Sequence, residues 1–523
     1  MIGSGPAGAA AASALAAAGR RVTVIDTGLT LEPDREAARL RMASTPPARW
    51  RAQDLALTSF TGHEQRGSNY KQLFGSDLAF RDDGVLPLQI SADVGARPSY
   101  AAGGLSNVWG SGLLPYTEQE LGDWPISRTD LDAGYRAALE LLPFAAEDDG
   151  LAQRYPLHRN PDGPLLRTRA GEELLARLGR HSGSLGAAGY AFGAPRLAVR
   201  VGHPAPWKGC VYCGHCLDGC PYGHIYSGFQ TISALTGGGT VEYRGGLHVD
   251  RLRENGDGVT VDATQVADGG SVTLRCGRVF LAAGAISSTV ILQRSGLLPE
   301  RREILDSRAL YVPFAWIGPV GRTGREPGHT LAQVTMVLED REVSASPVHL
   351  TFYSYSGGVA ERAREAHPHI SRALGPGLEL LARRLLVAIC FFHSDDSDSI
   401  LSVWDTGSES GRLETLRKVD RTATVRRFSR ALRRSLAPLG IVPLMPFAEH
   451  APVGGGYHYG GSAPMHRRPG SGQSDTLGRP AGADRIHVVD SSCFPSVPGG
   501  AITLTAMANA HRIATATTTS GSS

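Results

Sequence analysis

The chain has 523 residues, 41% hydrophobic and 20% charged, with a formal net charge of +3 at pH 7. That balance excludes a disordered chain, a fibrous repeat and a small disulfide scaffold, and it leaves no basic footprint for nucleic acid. No stretch reaches the roughly 20 apolar residues a bilayer span needs, and the Ala-rich run Ala7–Ala18 has no basic flank of a signal peptide. A cytoplasmic protein is expected.

The first motif is Gly3-Ser4-Gly5-Pro6-Ala7-Gly8, followed by an Ala-rich helix and the run Arg21-Val22-Thr23-Val24-Ile25-Asp26. Gly3 suits a tight turn, Gly5 lets a pyrophosphate reach the backbone, and Gly8 lets helix and strand pack closely. The helix N-terminus offers unpaired N–H groups and the positive end of its dipole to the phosphates. Asp26 ends the second strand, where it accepts ribose hydroxyls and disfavours a 2′-phosphorylated dinucleotide. A buried strand normally precedes such a turn. Only Met1 and Ile2 do so here, so the expected first strand is nearly absent, and a start further upstream is expected to hold the cofactor better.

Next comes the small-residue turn Ala102-Gly103-Gly104-Leu105-Ser106-Asn107-Val108-Trp109-Gly110, narrow enough to pass beneath a flat ring system. Cys210, Cys213, Cys216 and Cys220, followed by Pro221, have the spacing of a bacterial ferredoxin run. Three readings stay open for them: one iron–sulfur cluster, free or disulfide-bridged thiols, or Zn. Cys276, Cys390 and Cys493 are isolated and read as buried apolar residues. Val279–Ala285 reads as a buried strand ending in a turn, with a helix through Leu292. Strands are expected at Val348–Tyr355, Ile389–His393 and Ile400–Trp404, a basic helix near Arg421–Leu436, and a frayed tail over Thr519–Ser523. Asp395, Asp396 and Asp398 read as a solvated turn, or else as bait for a cationic substrate. Last come His458-Tyr459-Gly460-Gly461-Ser462-Ala463-Pro464-Met465, then Arg485–Ser492, Pro498-Gly499-Gly500-Ala501 and a helix Thr503–Ala514.

In this order the motifs resemble the glucose–methanol–choline (GMC) oxidoreductase family. The resemblance spans both ends and much of the middle, and is weak over about 300–445. It implies an α/β fold in which a Rossmann-like FAD-binding domain carries an inserted substrate domain on an antiparallel sheet. The FAD-binding part would comprise 1–30, 85–120, 225–300 and 445–523. Helices and the cysteine loop 209–223 would fill 120–225, and the substrate domain 300–445.

The resemblance implies FAD, with oxidation of an alcohol by hydride transfer to flavin N5. Gly3, Gly5, Gly8 and Asp26 would hold the ADP half and Val249 would lie near adenine. Gly104, Ser106 and Asn107 would line the flavin half, with Gly284, Asp490, Ala501 and Thr503 completing the cofactor site. His458 would be the base, because neutral imidazole suits proton removal near pH 7. His450, His466 and His511 are the lesser candidates. Gly460 and Gly461 would clear room for the ring system. The family's second histidine or asparagine falls at Ala501, whose methyl group can neither donate nor accept a proton.

A primary alcohol on a sugar or aminoglycoside-like molecule is the implied substrate. A dehydrogenase passing electrons through a cluster to a protein or quinone is the leading form. The rivals are an O2-using oxidase, an electron-transfer flavoprotein with no substrate of its own, and a non-catalytic binding protein.

Overall fold

The computed structural model describes residues 1–59, 71–122, 124–202, 208–317, 328–354, 384–417 and 419–519. Val22–Ile25 pairs in parallel with Val241–Arg244, and Ile486–Val488 pairs in parallel with Val279–Leu281. Ile2 bridges the two pairs, lying parallel to both Ile25 and Leu281. The place of the missing strand is therefore taken by two residues: Ile25 N–H donates to Met1 O at 2.8 Å and Ala282 N–H to Ile2 O at 2.9 Å. Helix Pro6–Ala17 packs on this layer through Ala7 and Ala9–Ala12, and against the C-terminal helix Thr503–Thr519. Small side chains allow that close helix–helix approach. A three-stranded antiparallel sheet, Leu247–Asn255, Gly258–Gln265 and Ser271–Cys276, completes this half.

The other half is antiparallel. Its largest sheet has the order Ile441–Pro443, Ala309–Trp316, Leu385–Phe391, Val348–Ser354, Val334–Leu338 and Tyr190–Gly193, with Glu449–His450 also paired to Ala309–Trp316. Alternation gives the sheet two different faces. Leu310, Val312, Phe314, Val348, Leu350, Phe352, Leu386 and Ala388 form a core with helix Arg421–Leu436, which buries Phe428, Leu432 and Leu436 at four-residue spacing. Each such side chain contributes about 1.5–3 kcal/mol of burial. The opposite face carries Tyr311, Thr335, His349, Thr351, Tyr353, Ile389 and Phe391, and these line a cavity. A five-stranded sheet (Tyr459–Gly460, Arg301–Asp306, Ser399–Asp405, Ser410–Leu416 and Leu88–Ile90) adjoins this half.

The expected strands and the basic helix form at Val348–Ser354, Leu385–Phe391, Ser399–Asp405 and Arg421–Leu436. Tyr355 and residues 520–523 lie outside the described residues. One expectation fails: Cys276 is exposed, because it ends an edge strand, whereas Cys390 and Cys493 are buried. The three acids are not one solvated turn either. Asp395 is exposed, Asp396 bonds Ser344 Oγ, and Asp398 is buried in an ion pair with Arg421.

Candidate active site

A cavity of about 340 Å³ runs from the Gly-rich turn to the inner face of the large antiparallel sheet. At one end, Gly3 has φ +94°, and a Cβ there would lie 2.3 Å from Ala282 O. At Gly8 a Cβ would sit 2.2 Å from Gly3 O, so this glycine sets how closely helix and strand approach. Gly104 and Gly284 differ, since a Cβ at either would meet nothing within 4 Å. They line open cavity, as do Gly5, Ser106 and Val249. Helix Pro6–Ala17 begins beside it with no side-chain cap and Pro at the first position. Its first-turn donors are left for an anion.

Asp26 also lines the cavity. Its Oδ2 accepts Ser4 N–H at 2.9 Å and the Ser4 hydroxyl, and Oδ1 accepts Gly28 N–H at 3.1 Å. Burial pushes this carboxyl up to about 6 against the pull of those donors. Ser4 Oγ in turn accepts Gly103 N–H at 2.8 Å, tying the first turn to the second. Asn107 is not in the cavity wall. It braces the Gly104–Asn107 turn by donating to Ala102 O and Gly104 O, both at 2.9 Å. Asp490 lines the cavity and accepts Gly284 N–H at 2.9 Å and Ser288 Oγ at 2.6 Å, fixing the turn before helix Ala285–Arg294. Ala501 and Thr503 line it from the C-terminal segment. The donor set, the glycine cradle and the buried acid fit the ADP and ring portions of FAD.

At the other end stands His458. Tyr457 before it has φ +60°, an uncommon conformation for a non-glycine residue that turns the chain toward the cavity. The imidazole stacks on Phe391 with ring centroids 4.4 Å apart, and its Nδ1 is covered and unpartnered. Burial, with Lys71 adding repulsion, pushes it down to about 3, so the ring is neutral at physiological pH. His450, His466 and His511 do not line the cavity. Gly460 and Gly461 do not clear it either. A Cβ on Gly460 would strike Ser491 O at 2.2 Å, and one on Gly461 would meet Leu305 at 2.6 Å, so both serve chain packing.

Four side chains in the substrate half, His349, Glu120, Tyr155 and Arg196, have no counterpart in the motif reading. His349 is buried, with Nε2 2.6 Å from Glu120 Oε1 and 3.4 Å from Tyr155 Oη. Arg196 is buried in the cavity wall with Nε and Nη2 unpartnered, and burial lowers its guanidinium to about 10. The sequence signals were faint: a Thr117-x-x-Glu120 capping pattern, and a histidine on an alternating strand.

Cys210, Cys213, Cys216 and Cys220 are half-buried, and none forms a disulfide. Burial raises all four thiols, two of them to about 12. Among the described residues no group of His, Cys, Asp and Glu has the arrangement of a metal site. The iron–sulfur and Zn readings of this loop therefore find no support.

Residues 418–510 match the family model described as GMC oxidoreductase. The chain carries a GMC oxidoreductase domain. With that domain comes the enzyme class, FAD-dependent oxidoreductases acting on CH–OH groups. The whole fold is similar to the crystal structure of pyridoxine 4-oxidase from Mesorbium loti, at 14% identity and a TM-score of 0.57, covering 98% of this chain and 97% of that one. Comparison with curated proteins gave no match. Among the described residues no helix is long and apolar enough to cross a membrane.

Proposed function

We propose that this protein oxidises an alcohol of a small, hydroxyl-rich molecule to the carbonyl, with FAD bound along the glycine-lined end of the cavity. One observation carries the reading: a single cavity joins the dinucleotide turn to His458. FAD supplies the two-electron acceptor for the hydride. Gly3, Gly5, Gly8, Asp26 and Val249 hold its ADP portion, while Gly104, Ser106, Gly284, Asp490, Ala501 and Thr503 border its ring portion, with Asn107 bracing the turn. His458 touches the substrate, its neutral ring accepting a hydrogen bond from the hydroxyl. Thr335, Thr351, Tyr311, Tyr353 and Arg196 offer the polar contacts that a sugar-like alcohol needs. The domain division read from the sequence serves this reaction, with the cofactor on the parallel half and the substrate on the antiparallel one.

For the exit of the electrons, a fold similar to an enzyme named an oxidase favours O2, which would be reduced to H2O2 as the flavin is reoxidised. We adopt that acceptor in place of a cluster and a protein or quinone, since among the described residues the cysteine loop lends a cluster no support.

The test is anaerobic mixing of the purified protein with sugar alcohols, amino sugars and long-chain alcohols while following flavin absorbance. Bleaching by a polyol is expected, followed in air by recovery of absorbance with stoichiometric H2O2. A protein that neither retains nor rebinds FAD would overturn the reading.

A further inference from the structure

The methyl group at Ala501 leaves the substrate oxygen with one imidazole, and that imidazole is a poor resting place for a proton. A base depressed to about 3 holds a proton weakly at neutral pH, whereas efficient general bases lie near the working pH. The structure supplies a second ring from the substrate sheet.

His349 lies on strand Val348–Ser354, where it pairs in register with Phe391, the residue stacked on His458. The two histidines thus share one corner of the cavity. The C-terminal segment rests on the same ring. A Cβ on Gly500 would lie 3.2 Å from His349 Cε1 and 3.5 Å from Glu120 Oε1, and one on Gly499 would lie 3.3 Å from His349 Cδ2. Ala501 follows directly and lines the cavity. His349 therefore stands beside the position that lacks a functional side chain.

Its two nitrogens are unlike. Nε2 is held by Glu120 Oε1 at 2.6 Å, with side chains 3% and 1% exposed. Glu120 Oε2 accepts the N–H and the hydroxyl of Thr117, both at 2.9 Å, as part of the capping box of helix Glu118–Leu121. Burial favours the neutral acid at Glu120. The hydrogen bond from His349 and the Thr117 donors outweigh burial and keep the carboxyl below its usual range. An ionised carboxylate on Nε2 fixes the tautomer, leaving Nδ1 with its lone pair. That Nδ1 is buried and has no partner.

We propose that His349 is a second catalytic residue, the group on which the substrate's hydroxyl proton comes to rest, with Glu120 and Tyr155 as positioning residues. This rests on the alcohol-oxidation reading above. The O–H bond breaks and its proton joins Nδ1. The carbinol C–H bond breaks, its hydrogen and electron pair leave to the oxidised flavin, and the C=O bond forms. The resulting imidazolium is balanced by Glu120. His458 keeps the hydrogen bond that orients the hydroxyl.

The experiment compares wild type, His349→Ala, His349→Gln and Glu120→Gln, each loaded with FAD, in anaerobic bleaching by whichever alcohol bleaches the wild type. His349→Ala is expected to lower the limiting rate about 10²-fold. FAD content and the half-saturating alcohol concentration should change little, and added imidazole should restore part of the rate. His349→Gln keeps the polar shape without the basicity and should be equally slow. Glu120→Gln should reduce the limiting rate less than either. In the FAD-free protein, a downfield proton NMR signal from Nε2–H bonded to Glu120 should be present in wild type and lost in Glu120→Gln. A wild-type limiting rate in both His349 variants, or absence of that signal in wild type, overturns the proposal while leaving alcohol oxidation standing. A wild type that binds FAD but bleaches with no alcohol overturns both.

Discussion

The two ends of the cavity are built by different means. The dinucleotide end is made of backbone: glycines that clear space, a helix N-terminus, and one buried acid held by Ser4 and Gly28. The substrate end is made of side chains, projected from strands far apart in sequence and fixed by long-range pairs such as Glu120 with His349. A backbone site tolerates almost no substitution at its glycines. A side-chain site can change partners, and the methyl group at Ala501 opposite a Glu120-backed histidine is a case of that freedom.

The harshest test of this contrast is Gly3→Val. Its positive φ and the 2.3 Å approach to Ala282 O leave no space for a side chain. Expected is loss of FAD retention together with a large drop in melting temperature, read from the flavin absorbance ratio and thermal unfolding. At the other end His458→Ala should keep its FAD and slow flavin reduction by roughly 10²-fold, because the substrate hydroxyl loses the ring that orients it. A variant with wild-type bleaching would remove His458 from the site.

Asp26→Asn should weaken FAD by roughly 10–100-fold, the range of a hydrogen bond to a charged group. In the FAD-free wild type the carboxyl titrates near 6, above its ordinary 3.8. Ribose hydroxyl donors favour the ionised form, so FAD affinity should rise as pH rises through about 6, and Asp26→Asn should flatten that rise. The sign for stability is opposite. This group's contribution to the FAD-free fold is full below about 4 and is lost as pH passes through about 6. Titration calorimetry across pH 5–8 checks the first effect and thermal unfolding the second. Smallest of all is the cysteine loop: Cys213→Ser with Cys216→Ser should leave FAD content, bleaching rate and H2O2 yield unchanged, with no iron lost on acid extraction.

The same contrast explains what could be read before the fold was known. Gly3, Gly5, Gly8 and Asp26 lie within 24 residues, so local spacing carries their geometry, and the Gly104 turn and the strand before Gly284 are equally local. His458 was legible because it sits in a short glycine-rich box. Asn107 was legible as part of its turn, yet its amide serves the backbone. Glu120, Tyr155, Arg196 and His349 carry no local pattern, because a carboxylate 229 residues from its partner meets it only after the sheet forms. The cysteine run shows the reverse hazard. Its spacing is specific, yet spacing cannot say whether four sulfurs converge.

The central claim is that one hydride crosses from the side-chain end of the cavity to the backbone end. The most direct measurement is the rate of anaerobic flavin bleaching with an alcohol deuterated at the carbinol carbon, against the same alcohol unlabelled. The account predicts stoichiometric bleaching that slows with the heavier isotope, at unchanged FAD content. Bleaching indifferent to that label, or reduction of the flavin by a compound with no carbinol C–H bond at an equal rate, would contradict it.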